Sequence, residues 1–245
     1  MPLSITVLGS SGTFASPGNA CSGYLVDADG FRVLLDCGPG TVANLQAHLR
    51  LAEVDAVVVS HVHPDHWLDL PVLRNAYRYV LGRSDVPVLT TAEVMEQADL
   101  LIGLDDPTLR WSVLEDGDER RVGPLRLRVS RTAHPAETLA VRLDLGDASL
   151  AYSADTGPSW TFAELGRGID VAVGEATVLH ADHHLVGDVH SSAQEAGAGA
   201  AAAGVERLVL THLLPGADPG EFRAEAAAAY GAPVQVAAVG ATFHC

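Results

Sequence analysis

Three histidines and one aspartate lie within six consecutive residues, in the segment HVHPDH at 61–66. These side chains are poor at burying apolar surface, so a cluster this dense after the apolar run VDAVVV indicates a binding site. Residues two positions apart in an extended segment share a face, and His61 and His63 can therefore reach one cation. The proline ends the strand, so Asp65 and His66 lie on a turn into a helix and can reach a second cation. The spacing predicts two adjacent metals.

Further ligands are expected where other strands end. The apolar segments LRLRVSRTAH, LAYSAD and RLVLTH end on His134, Asp155 and His212. A lone histidine at a strand end is more often a hydrogen-bonded surface residue than a metal ligand. Two metals, however, need more ligands than the HVHPDH segment supplies, and all three residues follow apolar strands in the same way. We therefore expect them to complete the site.

The charge of the chain narrows the chemistry. The sequence has 31 acidic and 15 basic residues, a net charge of −16, and every basic residue is arginine. A chain this acidic has no diffuse basic surface for a long phosphate backbone, so binding of long nucleic acid is not expected. The absence of lysine excludes a Walker-type phosphate loop and Schiff-base chemistry. Catalysis must therefore depend on histidine, carboxylates and metal.

The elements that position these residues follow from apolar runs and turn signals. Strands are predicted at 4–9, 22–28, 31–38, 54–60, 86–90, 125–134, 138–145, 148–157, 170–177 and 207–213, and helices at 41–50, 71–81, 92–102, 159–165, 192–203 and 220–229. Two runs of strands with helices predict an α/β fold, a four-layer αββα sandwich. We expect one domain over residues 1–245, without a membrane span or signal peptide, and hence a cytoplasmic protein.

The segment SHVHPDHWLDL resembles the HxHxDH signature of the metallo-β-lactamase superfamily, and the resemblance extends from ITVLGSSG to LTHLLPG. It implies the same αββα sandwich and a division of the ligands between two metals. The first metal would be held by His61, His63 and His134, the second by Asp65, His66 and His212, with Asp155 as the bridging ligand.

Within the superfamily, the segments LLDCGPGT, SADTG, GEAT and HSSAQEAG resemble ribonuclease Z. The resemblance implies that Glu175 orients His190, which would help to protonate the leaving group. Asp65 is predicted to be catalytic as well as a metal ligand. The chain departs from that branch in two respects. Gly174 replaces the histidine of the HEAT motif, and no glycine-rich basic arm for transfer RNA lies between Leu70 and His134. The overall pattern is similar to compact actinobacterial relatives described as cyclic-nucleotide phosphodiesterases.

The expected function is therefore a metal-dependent phosphodiesterase that acts on small phosphodiesters such as cyclic nucleotides, through a hydroxide shared by two metals. Three alternatives remain: a ribonuclease Z-like RNA 3′-processing nuclease, a carbon ester or lactone hydrolase, and a non-catalytic metal-containing binding protein. Imidazole and carboxylate ligands favour zinc, with manganese or iron as alternatives. The resemblance to ribonuclease Z also implies a homodimer.

For other polar residues near the motif, the sequence leaves both a functional and a purely structural interpretation open. Asp69, one helical turn after the motif, either orients a metal-bound histidine or is a solvated helix-end carboxylate. The turn SSGT at 10–13 either contacts phosphate or is a plain turn. Arg74 and Arg78 either meet a phosphate or face solvent or a partner. Beyond these, His180, His183 and His184 lie in a polar loop that either covers the substrate or is simply mobile.

Overall fold

Residues 2–245 are described by a computed structural model, in which strands and helices alternate around two mixed sheets. The first sheet has the strand order β15-β1-β3-β4-β5-β6-β7, and β2 pairs with β1 outside this path. Its strands are β1 (Leu3–Ser11), β2 (Ala20–Cys21), β3 (Gly23–Ala28), β4 (Phe31–Cys37), β5 (Ala56–Val58), β6 (Val86–Thr90), β7 (Leu109–Val113) and β15 (Thr242–His244).

The second sheet has the strand order β14-β13-β12-β11-β10-β9-β8. Its strands are β8 (Glu119–Val122), β9 (Leu125–Arg131), β10 (Leu139–Leu145), β11 (Ala148–Tyr152), β12 (Val171–Glu175), β13 (Leu208–Thr211) and β14 (Gln235–Val236). Strands β11 to β14 run parallel, so their carboxyl ends lie at one edge of the sheet.

Within residues 2–245, six α-helices cover the outer faces: α1 (Thr41–Leu45), α2 (Pro64–Trp67), α3 (Leu70–Ala76), α4 (Ala92–Ile102), α5 (Ala193–Ala203) and α6 (Pro219–Tyr230). A π-helical turn at Tyr77–Leu81 continues α3, and 3₁₀ turns occupy Leu51–Glu53, Phe162–Leu165, His180–Leu185 and Gly187–Val189. Among the described residues, none of the helices has the length and apolar character that a membrane crossing requires.

Three apolar clusters hold these layers together. One lies between the sheets, where Val7 of β1 and Val141 of β10 both belong to it. The second packs α3 and α4 against the outer face of the first sheet, and the third packs α5 and α6 against the outer face of the second. Burying both faces of each sheet explains why the central strands read as continuous apolar runs. The predicted four-layer αββα sandwich is confirmed.

The edges of the sheets differ from the sequence predictions. Strands β7, β8, β14 and β15 were not predicted, and these four are the edge strands of the two sheets. Most of their side chains are partly or fully exposed, so they lack the apolar pattern that identifies a strand. The predicted helix at 41–50 ends at Leu45, after which i→i+3 hydrogen bonds form tighter turns. The predicted helix at 159–165 is a 3₁₀ turn at Phe162–Leu165.

Candidate metal centre

The predicted ligand residues meet at one edge, where strand ends of both sheets face each other. His61 and His63 follow β5 of the first sheet, and α2 carries Asp65 and His66. The second sheet supplies three further residues at the ends of β9, β11 and β13: His134, Asp155 and His212. The structure therefore brings together all seven residues that the sequence predicts as ligands.

The first group of ligand atoms comprises nitrogens of His61, His63 and His134 and a carboxylate oxygen of Asp155, all within 4.8 Å of one another. The Nε2 atom of His134 lies 3.1 Å from Nδ1 of His63, and Nε2 of His61 lies 3.5 Å from Oδ2 of Asp155. Nitrogens this close to one another and to a carboxylate oxygen form a pocket that suits a divalent cation.

The second group comprises atoms of Asp65, His66 and His212. Oδ2 of Asp65 lies 3.6 Å from Nε2 of His66 and 3.4 Å from Nε2 of His212. The same two nitrogens lie 3.2 and 3.4 Å from Oδ1 of Asp155. Asp155 therefore presents one carboxylate oxygen to each group, which is the arrangement that a bridging ligand requires.

Three polar atoms at this point are buried without a hydrogen-bond partner: Nε2 of His61, Nε2 of His66 and Oδ1 of Asp155. Buried polar atoms are almost always satisfied, because desolvating one without a partner costs about 1–3 kcal/mol. All three atoms belong to the two groups of candidate ligands. The residues therefore fit divalent metal ions, which would supply the missing interactions.

Four of the histidines are fixed through their second ring nitrogen. Nδ1 of His61 lies 3.0 Å from Oγ of Ser60, that of His66 lies 2.7 Å from Asp36, and that of His212 lies 3.0 Å from Thr177. In the fourth, Nδ1 of His134 donates to the carbonyl oxygen of Val189 at 2.9 Å. Such contacts set the tautomer and leave Nε2 free to bind a metal.

Asp36 was not identified by the sequence reasoning. It lies at the end of β4, is fully buried, and accepts hydrogen bonds from the backbone and hydroxyl of Ser60, from His66 and from the hydroxyl of Tyr152. The signal that could have found it is the one used for Asp155, a carboxylate directly after an apolar strand. Asp69, which had been considered for this role, instead accepts from the backbone amides of Gly40 and Val42.

The backbone around the centre is strained at three strand ends. Asp36, Ala154 and His212 have positive φ angles of 56°, 52° and 61°. Residues other than glycine rarely adopt this left-handed conformation, which costs of order 1–3 kcal/mol and persists only where the surrounding structure enforces it. Because Ala154 precedes Asp155, the strained turns lie at the positions that direct carboxylate and imidazole groups toward the centre.

Burial and neighbouring charges shift the pKa values of these groups. Burial lowers the pKa of His61 to about 4 and also lowers that of His134, so both rings stay neutral, as metal ligands must. Burial raises the pKa of the Asp155 carboxyl, but the charges of His212 and His66 outweigh it and hold this pKa well below its usual value.

His190 and Glu175 form a pair beside the second group. Nδ1 of His190 donates to Oε1 of Glu175 at 3.0 Å, and the same oxygen accepts from the amide of Thr156. Burial lowers the pKa of His190, but Glu175 raises it to about 9 through this hydrogen bond and its charge. Oε2 of Glu175 accepts from the hydroxyl of Thr177, which therefore accepts from Nδ1 of His212. One carboxylate thus orients His190 directly and His212 indirectly.

The ring of His190 lies close to the candidate ligands. It stacks on His212 with ring centroids 5.4 Å apart and lies 5.1 Å from the ring of His134. His190 also forms a third possible metal-binding group with Asp155 and His212. Its position therefore suits contact with a substrate bound at the centre.

The remaining polar residues lie in supporting positions. In the SSGT turn, the amide of Thr13 donates to Oδ2 of Asp65 at 2.9 Å. Arg74 and Arg78 both pair with Asp106, so neither guanidinium group is free to hold a phosphate.

In the 3₁₀ turn at His180–Leu185, the imidazole rings of His183 and His184 have different surroundings. His183 approaches Glu195 at 3.4 Å, and His184 is exposed. Val189 lies in the next 3₁₀ turn, Gly187–Val189, and reaches the centre through its carbonyl, which accepts from Nδ1 of His134.

Comparison with known families identifies the class of protein. The model of the "beta-lactamase superfamily domain" matches residues 31–213, which include every candidate ligand. The chain belongs to the metallo-β-lactamase superfamily and is a metallo-hydrolase of that superfamily. This confirms the family suggested by the HxHxDH segment.

Individual relatives place the chain more narrowly. It is 38% identical to the uncharacterized protein Rv1339 of Mycobacterium tuberculosis, over 98% of this chain and 91% of that protein. It is 30% identical to the ribonuclease Z of Mycobacterium bovis, over 96% and 95%. The crystal structure of the metallo-beta-lactamase fold protein YhfI from Bacillus subtilis superposes with a TM-score of 0.91 at 26% identity, covering 100% of this chain and 99% of that one. The resemblance to ribonuclease Z is therefore confirmed.

Proposed function

We propose that this protein is a dinuclear metal-dependent phosphodiesterase that hydrolyses small phosphodiesters such as cyclic nucleotides. The observation that carries the proposal is the position of Asp155, whose two oxygens face two separate groups of ligand atoms. The His190–Glu175 pair lies next to them. Two adjacent cations and one proton donor suit the hydrolysis of a phosphodiester.

The ligand atoms assign the residues to two metals. His61, His63 and His134 would hold the first, Asp65, His66 and His212 the second, and Asp155 would bridge them. Divalent ions there, zinc by preference, would make water nucleophilic at neutral pH and neutralise charge on the phosphoryl oxygens.

His190 has the geometry of a general acid. Its Nδ1 atom is engaged by Glu175, so Nε2 is the atom left to meet a substrate. When water attacks phosphorus and the bond to one ester oxygen breaks, Nε2–H of His190 donates its proton to that oxygen. The carboxylate of Glu175 stabilises the protonated ring before the transfer and keeps it oriented.

The surface beside the centre favours a small substrate. A groove adjoining the ligand segment is lined by Val62 and Pro64 and carries the carboxylates of Glu93 and Glu96. Among residues 2–245, none of the candidate ligands, nor His190 or Glu175, forms a hydrogen bond or ion pair with an arginine. Most of the other lining residues are apolar, so the groove offers no basic surface for a polynucleotide, and the net charge of −16 disfavours one further. Both observations support a short diester over the RNA of ribonuclease Z. We regard residues 1–245 as one domain that acts as a cytoplasmic homodimer.

The test is to purify the protein without chelators, quantify its metals and assay bis-p-nitrophenyl phosphate, cyclic AMP, cyclic GMP and a p-nitrophenyl ester. We expect two metals per chain and diester turnover that chelators abolish. Turnover of the carbon ester alone would replace the proposal with the esterase alternative, and metal without any turnover would replace it with a binding protein.

Three variants separate the roles of the residues. His190→Ala should keep both metals and lower kcat by about 10²- to 10⁴-fold, the usual contribution of a general acid. Asp155→Ala should lose metal. The matched control is His184→Ala, which removes an exposed histidine from the neighbouring 3₁₀ turn and should change neither property. Unchanged turnover in His190→Ala would remove His190 from the mechanism.

A further inference from the structure

The loop after β1, residues 12–19, is packed directly on the candidate metal centre. The amide of Thr13 donates to Oδ2 of Asp65, and the amide of Gly12 donates to the carbonyl of Leu213 at 3.0 Å. A side chain at Gly12 would place Cβ only 2.6 Å from the carbonyl oxygen of His212. The loop therefore touches two candidate ligand residues, Asp65 on α2 and His212 after β13.

Phe14 is an exposed aromatic side chain on this fixed backbone. Its amide donates to the carbonyl of Gly12 at 2.7 Å, and its carbonyl accepts from the hydroxyl of Ser11 at 2.8 Å. The residue before it, Thr13, has a positive φ of 65°, so the local backbone is strained as well as anchored. Phe14 is nevertheless 58% exposed, whereas Phe162, Phe222 and Phe243 are buried.

The position of Phe14 brings its ring within reach of a ligand at the centre. The amide nitrogen of Thr13 lies 2.9 Å from Asp65. Standard backbone dimensions put the Cα atom of Phe14 about 5 Å beyond that nitrogen, hence within about 8 Å of the carboxylate. An exposed aromatic residue whose Cα lies this close to a candidate ligand is near enough to contact the non-phosphate part of a small substrate.

The chemistry of this position selects a planar aromatic group. Bases stack on aromatic side chains whatever their identity, because every base has a π-face. We propose that Phe14 is the stacking platform for the base of a nucleotide substrate. This inference rests on the proposed phosphodiesterase function and names the substrate class as base-bearing.

The experiment compares cyclic AMP with ribose 3′,5′-cyclic phosphate, the same diester without a base. Phe14→Ala should raise KM for cyclic AMP by about 5- to 100-fold, the usual effect of losing a stacked base, and leave the ribose compound unchanged. Phe14→Trp should restore the KM for cyclic AMP, and Phe14→Leu should not. Tyr79→Ala is the matched control, since Tyr79 is an exposed aromatic residue that lies against Arg74 and Arg78 instead.

A second measurement separates this inference from the function on which it rests. Binding of AMP and of ribose 5-phosphate is measured by calorimetry on the metal-loaded protein and on each variant. Weaker AMP binding in Phe14→Ala, with ribose 5-phosphate unaffected, would support the platform even if no diester were turned over. Equal losses for compounds with and without a base, or no loss for either, would overturn it while leaving phosphodiester hydrolysis standing.

Discussion

Replacing Asp36 with asparagine should destabilise the protein and weaken its hold on metal. The change is isosteric, and Oδ1 still accepts from the amide of Ser60, but an amide nitrogen then faces three donors that now bind Oδ2. Those donors are the hydroxyls of Ser60 and Tyr152 and Nδ1 of His66. At about 1–3 kcal/mol for each buried donor left unsatisfied, with some relief from hydroxyl rotation, the free energy of unfolding should fall by about 3–5 kcal/mol.

Metal affinity should fall as well, because His66 loses the carboxylate that fixes its tautomer. Loss of such a contact typically weakens metal binding by about 10- to 100-fold. Urea unfolding of the metal-free protein measures the first effect, and competition with a chromophoric zinc chelator measures the second. A zinc dissociation constant within twofold of the unmodified protein would refute the assignment of Asp36 as the residue that positions His66.

Two control variants separate affinity from stability. Tyr152→Phe removes one donor to Asp36 but leaves the contact with His66, so it should cost about 1 kcal/mol without changing zinc affinity. Asp69→Asn changes the carboxylate that the sequence suggested, from its position one helical turn after the motif, as a partner of a metal-bound histidine. Its oxygen Oδ2 alone accepts from Gly40 and Val42, and an amide oxygen can retain both bonds. Zinc affinity should therefore be unaltered in this variant.

Three further variants test other contacts of the structure. Gly157→Ala should reduce turnover sharply, because its Cβ would lie 1.7 Å from the carbonyl of Asp188 and displace the segment that leads to His190, the proposed general acid; wild-type kinetics would contradict this. Glu175→Gln should keep its metal but lower kcat by about 10-fold or more, since the charge-assisted hydrogen bond to His190, the proposed general acid, is lost; steady-state assays measure this. Asp106→Asn should lower the free energy of unfolding by about 2–4 kcal/mol because it leaves a buried arginine unpaired, and urea titration measures this.

The seven candidate ligands could be predicted from sequence because each follows an apolar strand and four of them share one hexapeptide. Strand ends at one edge of a sandwich converge, so residue type and position in the sequence together were sufficient to predict that these seven residues meet. Asp36 was missed because it is the single carboxylate of the segment LLDC, with no histidine beside it, and its partner His66 is 30 residues away in the chain. Asp69 is nearer to His66 in sequence, yet its side chain turns toward α1.

The layers of the fold were predictable for a related reason. Central strands are buried on both faces and therefore contain almost only apolar residues, which any sequence reading detects. Edge strands such as β8 have Glu119, Arg120 and Arg121 exposed, so their pairing depends on backbone hydrogen bonds that leave no pattern in the side chains. The contact between the Val189 carbonyl and His134 was equally invisible, because any residue could supply that oxygen.

The pairing of β15 with β1 has a consequence for how the chain is made. Residues Ser4 and Ile5 pair with His244 and Phe243, so the first sheet acquires this edge strand only after the second sheet has been synthesised. The amide of His212 likewise bonds to the carbonyl of Ser10. During translation the HVHPDH segment emerges long before its partners from the second sheet, so the candidate ligands can come together only late in synthesis. Contacts across such long stretches of chain also predict slow folding, during which unpaired strand edges need protection.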